Sequence, residues 1–339
     1  FSYRYSFELI NNYLIIATNN GQFYIERIDT VINKDEEQIN FKELKTNLYD
    51  LIPPENLTDS ALSDIFVDGQ NIYILVHEII DNCKKIQLLV GSFNFNSISF
   101  EEVFNTKSIV KCVSKDTNAG RVQKLKTDKK EVLLVTFSNK AANGEVHKEL
   151  TELETESDDE FGNIVSINKQ NKNFEIYARG LRNSLGLYVD EKVILATDNG
   201  PKGGDEINKI IKGEHYGWPY SSYGSKYNEN GKTLYKMSHN KFGFQEPIYS
   251  FIYALGIAEI IKLDNNFAEM WQNNFLVSTM NGNHLLRIRF DNNFDKIIYN
   301  EKIFIGERVR DLKYDSKNEK IFIGLNSSGS LGIISNLNR

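Results

Sequence analysis

The 339-residue sequence has only 2 cysteines, no long apolar run and no concentration of positive charge. Its apolar runs, such as Asn71–Val76 and Ile86–Val90, are far shorter than the roughly 18 residues of a membrane helix, so we expect no transmembrane span. The 40 Lys and Arg residues are scattered and are outnumbered by 46 Asp and Glu residues. This balance argues against a protein that binds nucleic acid through its phosphates. The 40% hydrophobic share is enough to build a folded core.

The two cysteines, Cys83 and Cys112, are too far apart for a Cys-x-x-Cys redox motif and too few for a zinc ribbon. Two interpretations are open. One disulfide would place the protein outside the cytosol, whereas two buried free thiols would not. The sequence begins at Phe1 without a basic segment and apolar stretch, so we expect a processed or trimmed form.

A short apolar run followed by a Gly-containing turn recurs along the chain. Four copies occur, at Tyr13–Gly21, Val193–Gly200, Phe275–Gly282 and Ile321–Gly329. Each predicts a β-hairpin, because Asn-Gly and Ser-Gly suit the positive φ angles of tight turns. Two more hairpins are predicted with other turns, from Ile72–His77 to Lys85–Val90 and from Val132–Thr136 to Asn163–Ile167.

Six similar hairpins with almost no helical periodicity predict an all-β fold, a six-bladed β-propeller in one domain over residues 1–339. A β-sandwich is the alternative, but it would not need six similar hairpins. The predicted blades are 4–46, 58–107, 118–181, 183–250, 251–307 and 308–339. The last blade shows three clear strands, so we expect the N-terminal segment Ser2–Phe7 to close the ring as its missing strand and to hide an edge.

The least generic residues lie in three consecutive segments, Ala178–Tyr188, Asp198–Asn208 and Gly213–Pro219. The Asn-Gly-Pro-x-Gly-Gly loop in the second segment exposes backbone carbonyls, and Asp205 and Glu206 follow it directly. Carbonyl and carboxylate oxygens are the ligands that Ca²⁺ prefers. The pattern therefore suggests a calcium-type site. The alternative is a loop that only turns the chain, with both carboxylates in solvent.

Together these segments resemble the signature of the soluble quinoprotein glucose/sorbosone dehydrogenases. Weaker similarity extends from about residue 60 to 325 and includes Asp116–Arg121, Phe161–Val165 and Gly306–Asp311. Members of this family are six-bladed propellers that use pyrroloquinoline quinone (PQQ) and calcium to oxidise aldoses to lactones. The resemblance implies a small sugar or related alcohol as substrate, an electron acceptor or protein partner, and a periplasmic or otherwise extracytoplasmic location.

The resemblance also implies a set of site residues. The positions that match cofactor contacts are Arg182, Asn183, Asn199, Asn281, Arg308 and Arg310, and those that match the metal sites are Gly200, Pro201, Asp205, Glu206 and Tyr216. The carbonyls of Gly200 and Pro201 correspond to the catalytic calcium, and Glu206 with the Tyr216 carbonyl to a second, structural calcium. Arg308 and Arg310 would face the cofactor carboxylates, which guanidinium groups bind bidentately. An ordinary strand with one exposed face is the alternative for this pair.

The sequence departs from the family where the reaction needs a general base. The family's His falls at Thr117, and the carboxylate that orients it falls at Ser138. A Thr hydroxyl has no useful basicity near pH 7, so it cannot replace an imidazole. Asp116 is a candidate substitute base if burial raises its pKa. His215, His239 and His284 are further candidates.

Three functions are therefore weighed. The first is a PQQ- and calcium-dependent oxidoreductase with an altered base. The second is a propeller that has lost the reaction and binds a ligand or protein in its funnel. The third is a propeller lyase or lactonase, which would need Asn and carboxylate calcium ligands from several blades. The acidic run Glu152–Glu160 is predicted to be a solvated excursion, with cation or partner binding as the alternative.

Overall fold

The structure, a computed structural model, describes residues 4–33, 39–81, 83–106, 119–127, 130–139, 160–225 and 238–336. The predicted all-β class is confirmed, since strands dominate this part of the chain. The helical segments are α1 (Ile28–Asn33), α2 (Leu48–Leu51) and the 3₁₀ turns Pro54–Asn56, His239–Phe242 and Glu269–Trp271. No helix among these residues is long and apolar enough to span a bilayer.

Within the described residues the strands form five sheets. The first has eight strands in the order β1-β2-β3-β4-β8-β7-β6-β5. Its strands are β1 (Tyr5–Ile10), β2 (Tyr13–Thr18), β3 (Phe23–Arg27), β4 (Lys42–Thr46), β5 (Leu57–Asp68), β6 (Asn71–Ile80), β7 (Cys83–Asn94) and β8 (Ser97–Asn105). It consists of two antiparallel halves joined by one short parallel contact, where Lys45 and Thr46 of β4 pair with Ser97 and Ile98 of β8.

The other four sheets follow the chain without crossover. Their strands are β9 (Ala119–Lys126), β10 (Glu131–Phe137), β11 (Ile164–Asn168) and β12 (Phe174–Ala178); β13 (Ser184–Val189), β14 (Ile194–Asp198), β15 (Asp205–Lys209) and β16 (Tyr249–Phe251); β17 (Ile257–Lys262), β18 (Phe275–Thr279), β19 (His284–Phe290) and β20 (Ile297–Phe304); and β21 (Val309–Asp315), β22 (Lys320–Leu325) and β23 (Ser330–Ser335).

All six predicted hairpins are confirmed as antiparallel strand pairs. They are β2–β3, β6–β7, β10–β11, β14–β15, β18–β19 and β22–β23. One turn differs from the prediction. The expected tight Asn-Gly turn after Val193 is a longer loop, residues 199–204, between β14 and β15. This loop belongs to the candidate site described below.

The N-terminal strand does not extend the last sheet in the part of the chain that is described. Tyr5–Ile10 instead pairs with β2 along its whole length, from Tyr5 opposite Thr18 to Ile10 opposite Tyr13. The reason is local, because Asn11, with a φ of 53°, allows a short turn between the two strands. The sheet β21-β22-β23 keeps three strands. The prediction that Ser2–Phe7 supplies its fourth strand is therefore wrong for the described residues.

Each half of the eight-stranded sheet and each of the other four sheets is here called a unit. The first strand of each unit contacts the first strand of the next. This series runs through β1, β5, β9, β13, β17 and β21, and β21 contacts β1 again. The apolar core lies between neighbouring units. One cluster, for example, joins Leu195 and Ile207 of one sheet to Phe275, Val277 and Leu286 of the next.

A buried guanidinium, that of Arg121 on β9, connects these first strands. Its side chain is 4% exposed and lies 2.8 Å from Asp64, 3.1 Å from Glu259 and 3.3 Å from Asp311. It also donates hydrogen bonds to the carbonyls of Leu185 and Arg310, at 2.9 and 3.1 Å. One side chain thus contacts groups on β5, β13, β17 and β21.

Lys313 on β21 brings the remaining first strand into the same cluster. Its ammonium lies 2.9 Å from Glu8 on β1 and 3.9 Å from Glu259 on β17. Burial raises the pKa of Glu8 against the opposing effect of this ammonium. The cluster therefore contains four carboxylates around two cations, and these charged side chains come from five first strands, β1, β5, β9, β17 and β21. The sixth, β13, contributes the Leu185 carbonyl.

Glu259 should make stability depend on pH. Burial, only partly opposed by Arg121 and Lys313, raises its pKa from 4.5 to about 7. The folded state then binds a proton more tightly than the unfolded state, so stability falls as pH rises from 4.5 to 7. We expect Glu259→Gln to remove this fall and to be more stable above pH 7 by about 1–3 kcal/mol. Urea unfolding across this pH range measures it, with the exposed Glu43→Gln as control. Parallel curves for Glu259→Gln and the wild type would contradict the assignment.

Candidate functional site

The loop 199–204 folds tightly enough to require its glycines. A Cβ on Gly200 would lie 2.2 Å from the Gly203 carbonyl oxygen and 2.6 Å from that of Gly204. Gly203 and Gly204 have φ angles of 77° and 68°, in the left-handed region that favours glycine. A side chain at Gly200 would therefore displace the turn, which explains the Gly-rich spacing in physical terms. Pro201, in the same loop, is buried.

Arg182, just before β13, lies directly against this loop. Its Nη1 donates hydrogen bonds to the carbonyls of Asn199, at 2.7 Å, and Gly200, at 2.9 Å. Its guanidinium carbon is 5.4 Å from the centre of the Trp218 ring, within the range of a cation–π contact. Three residues predicted to share a site are thus in contact, and their roles stay predictions.

Asp198, which was not among the predicted site residues, holds the turn before β13. Its carboxylate accepts hydrogen bonds from the backbone amides of Arg182, at 2.9 Å, and Asn183, at 2.6 Å, and from the Ser184 hydroxyl, at 3.2 Å. Burial, and next the charge of Glu206, raise its pKa to about 7 against the effect of those amides. Both of its oxygens therefore accept hydrogen bonds that hold the backbone around Arg182 in place.

Two buried amide oxygens at this site have no donor. The Oδ1 atoms of Asn183 and Asn199 accept no hydrogen bond from any described residue. The Asn199 amide nitrogen is engaged, donating to the Ile257 carbonyl at 2.8 Å, so the orientation of that side chain is fixed. A buried acceptor without a donor is costly. Both atoms therefore indicate a place for a cation or for a ligand that donates hydrogen bonds.

Asp205 connects this loop to the next sheet. It accepts hydrogen bonds from the backbone amides of Gly200, at 3.2 Å, and Gly256, at 2.7 Å. Burial raises its pKa to about 6, opposed by these amides. Leu255, next to Gly256, in turn contacts Asn281, whose backbone amide donates a hydrogen bond to the Leu255 carbonyl at 2.8 Å. Asp205 was predicted among the metal-site residues, and that role stays a prediction.

A group of arginines lies at the far end of this series of contacts. Arg308 donates to Asn281 Oδ1 at 2.8 Å, and Arg310 Nη1 lies 3.8 Å from the sulfur of Met280. Among the described residues, no carboxylate forms an ion pair with Arg308 or Arg310. Burial, followed by the charges of Arg4, Arg121 and Arg308, lowers the pKa of Arg310 to about 9.

Arg4 was not predicted as part of the site. It precedes β1, and burial together with the charge of Arg308 lowers its pKa. Its position ahead of an N-terminal strand carries no signal that it meets a loop some three hundred residues later. Arg4, Arg308 and Arg310 therefore place three guanidinium groups near the start of β1 and β21. Such a group is suited to a ligand with several carboxylates.

Glu206 and Tyr216, predicted at a second calcium, line a cavity of about 10 Å³ together with Asp198, Ser221 and His239. That volume holds roughly one water-sized particle. Glu206 Oε1 already lies 3.1 Å from His239 Nε2, and the Ser221 hydroxyl contacts the other ring nitrogen. Across the described ranges, no three His, Cys, Asp or Glu side chains are grouped to hold a metal. The structural calcium stays a prediction.

The histidines considered as substitute bases are held by protein contacts. His215 stacks on Phe244 with ring centres 4.5 Å apart and accepts a hydrogen bond from the Gly217 amide at 2.9 Å. Burial lowers its pKa to about 4, so the ring is neutral near pH 7. His284 Nδ1 lies 2.6 Å from the Gly282 carbonyl. The buried Nε2 of His284 has no hydrogen-bond partner among the described residues, so its role stays a prediction.

Several predictions fall outside the described residues. These are the roles of Asp116 and Thr117, residues 152–159 of the acidic run and the environment of Cys112. Glu160, the last residue of that run, is described and is buried, so the predicted solvated position is wrong for this residue. Ser138 is described and is buried at the end of β10. Cys83 is buried and disulfide-bonded, which decides between the two interpretations of the cysteines in favour of a disulfide.

Residues 54–332 match the family model described as Glucose / Sorbosone dehydrogenase, and the chain belongs to that family. It is 24% identical over 165 residues to the aldose sugar dehydrogenase YliI of Escherichia coli, covering 46% of this chain and 43% of that protein. The chain matches less than half the length of each of its curated relatives.

Solved structures resemble the whole chain. A crystal structure described as glucose dehydrogenase superposes with a TM-score of 0.74 at 15% identity, over 99% of this chain and 97% of the other. The PQQ-bound form of an aldose sugar dehydrogenase from Streptomyces coelicolor superposes with a TM-score of 0.62 at 14% identity, over 97% and 93%. At these identities the likeness establishes the fold alone.

Proposed function

We propose that this protein is a PQQ- and calcium-dependent sugar dehydrogenase-like oxidoreductase that acts on an aldose or a related alcohol. The observation that carries the proposal is the arginine group. Arg308 and Arg310 have no carboxylate partner among the described residues, and Arg4 lies beside them. Membership of the glucose/sorbosone dehydrogenase family supports the substrate class.

The proposed architecture is a single-domain, six-bladed propeller whose ring closes by contact between its first and last blades. The succession of contacts from β1 to β21 and back to β1 supports this arrangement. A hydrogen bond from the Tyr5 hydroxyl to the Ser330 carbonyl, at 2.5 Å, adds a link between the two. Closure would then depend on packing between blades and not on a shared sheet.

In this proposal Arg308 and Arg310 bind the carboxylates of PQQ, while Arg182, Asn183 and Asn281 line its remaining edge. The two buried amide oxygens of Asn183 and Asn199 fit the calcium of this proposal, because a cation would satisfy acceptors that lack donors. Calcium would lie at the carbonyls of Gly200 and Pro201. A carbonyl oxygen has two lone pairs, so the bond from Arg182 leaves one on Gly200. When bound, PQQ supplies a quinone that accepts hydride.

The proposed reaction differs from the family's in its base. With Thr117 at the position of the family's His, proton removal would fall to another group, and Asp116 is the proposed substitute. Loss of an aligned base typically lowers the rate by about 10²–10⁴-fold. We therefore expect slow turnover. An extracytoplasmic location is part of the proposal, supported by the disulfide at Cys83.

A titration tests the function. The purified full chain is titrated with PQQ in calcium buffer and again in EDTA, with visible absorbance as the readout, and an aldose and a dye acceptor are then added. We expect calcium-dependent binding followed by slow dye reduction. Binding without reduction would favour the second candidate, a ligand-binding propeller, which the Thr at position 117 supports. Absence of binding would overturn the cofactor assignment.

A further inference from the structure

A second cavity lies at the other end of the first strands. Its volume is about 360 Å³, within the range of small-molecule sites. Every first strand contributes to its wall, through Glu8, Phe66, Gln123, Tyr188, Glu259 and Lys313. On β21 the cavity residue Lys313 comes after Arg310, and on β13 Tyr188 comes after Asn183 and Ser184. The cavity is therefore separate from the arginine group and from the proposed cofactor position.

The ionic cluster at the inner end of this cavity has more carboxylates than cations. Glu8 and Glu259 line it beside Lys313, and Asp64 and Asp311 lie behind them around Arg121. This gives four carboxylates against two cations. Lys262, which also lines the cavity, is paired with Asp190 at 3.4 Å. The guanidinium of Arg310 lies at the opposite end of β21, against Met280.

One oxygen in this cluster has no hydrogen-bond donor. Glu259 is 2% exposed, and its Oε2 accepts no hydrogen bond from the described residues. Arg121 Nε is 3.1 Å away, but its hydrogen is directed to the Leu185 carbonyl at 2.9 Å. Lys313 Nζ, at 3.9 Å, is beyond hydrogen-bond distance. When Glu259 is ionised, a donor that enters from the cavity would stabilise this oxygen.

The walls are apolar and aromatic. Phe66, Tyr188 and Tyr314 contribute rings, and both tyrosine hydroxyls are already bonded, to Asp190 and Asp264. The ring faces are thus the part of these residues that a ligand meets, and aromatic faces attract cations. We propose that this cavity binds a small organic cation, a primary ammonium group on an apolar or aromatic body, with the ammonium donating to Glu259 Oε2.

Benzylamine is a suitable probe because two analogues of similar shape differ from it in charge. The intact protein is titrated by calorimetry with benzylamine, with neutral benzyl alcohol and with anionic benzoate, each with and without PQQ. We expect benzylamine to bind at least 10-fold more tightly than either analogue, a difference typical of one charged contact. Its affinity should be the same with and without PQQ, so failure of the proposed cofactor would not affect this result.

Two variants locate the site. Glu259→Gln keeps the side-chain volume and should weaken benzylamine binding at least 10-fold, about the value of one lost charge-assisted bond. Leu9→Trp should block the cavity while keeping every charge, since Leu9 lines it and is only half-buried. The exposed Glu43→Gln is the control and should bind as the wild type does. Unchanged affinity in Glu259→Gln, equal binding of benzyl alcohol, or no benzylamine binding at about 10 mM would overturn the proposal.

Discussion

Replacing Arg121 by Met is expected to cost about 3–5 kcal/mol of unfolding free energy, the typical penalty for removing one partner of a buried ionic cluster. The variant would leave Asp64, Glu259 and Asp311 buried without the cation that lies within 3.3 Å of each. It would also leave the Leu185 and Arg310 carbonyls without their donor. Because these groups lie on four different first strands, the loss should weaken the contacts between units together. Urea unfolding measures the effect.

The pH dependence of this variant gives a second readout. Without Arg121 the buried carboxylates should bind protons more tightly in the folded state, so stability should fall more steeply with rising pH than in the wild type. Arg121→Lys keeps the charge but not the planar guanidinium group. The pH dependence of its stability should lie between those of the wild type and Arg121→Met. Exposed Arg289→Met is the matched control and should change stability little. A loss below about 1 kcal/mol for Arg121→Met, the usual value for a surface pair, would contradict the role assigned to this residue.

The hairpins could be predicted from the sequence because their determinants are local. In β2 and β3, for example, the apolar run, a turn residue with positive φ and the second run lie within about twenty positions, and the two strands pair as that pattern predicts. The length of the turn after β14 could not be predicted in the same way. Its conformation depends on the Gly203 and Gly204 carbonyls folding back onto Gly200, and on Asp205 bonding to Gly256. That last contact joins residues 51 positions apart.

The ionic cluster was beyond sequence reasoning for the same reason. Arg121 and Asp64 are separated by 57 positions, and Arg121 and the Arg310 carbonyl by 189. Nothing in the local pattern of β9 distinguishes a residue that connects five strands from one in an ordinary alternating strand. The resemblance drew attention to Arg121 only as part of a motif. Its contacts show a structural role that a motif cannot state.

The candidate site contains some contacts that could be predicted from the sequence and others that could not. Arg182, Asn199 and Gly200 were expected together and are in contact, because the motif preserves a local loop and the strand beside it. Arg4 was missed, since it meets Arg308 only through the contact between the first and last units. Asp198 was missed because a carboxylate at a strand end is more often solvated than engaged by two backbone amides.

The double variant Arg308→Gln, Arg310→Gln is expected to weaken PQQ binding by about 100-fold or more, the product of two lost charge-assisted contacts. Neither arginine has a carboxylate partner among the described residues, so their charges are available to an anionic ligand. The readout is the absorbance titration with PQQ in calcium buffer. Each single variant should lose part of the affinity. Arg289→Gln, an exposed arginine on β19, should keep it.

The unfolding free energy of the double variant distinguishes a binding role of Arg308 and Arg310 from a structural role. Burial, followed by like charge, lowers the pKa of Arg310 to about 9, which means that its charged form is held unfavourably in the free protein. Removing both guanidinium groups should therefore leave the unfolding free energy unchanged or raise it, while PQQ affinity falls. If these residues only supported the fold, stability and affinity would fall together. Undiminished PQQ affinity in the double variant would place the cofactor's carboxylates elsewhere and leave the arginine group without its proposed ligand.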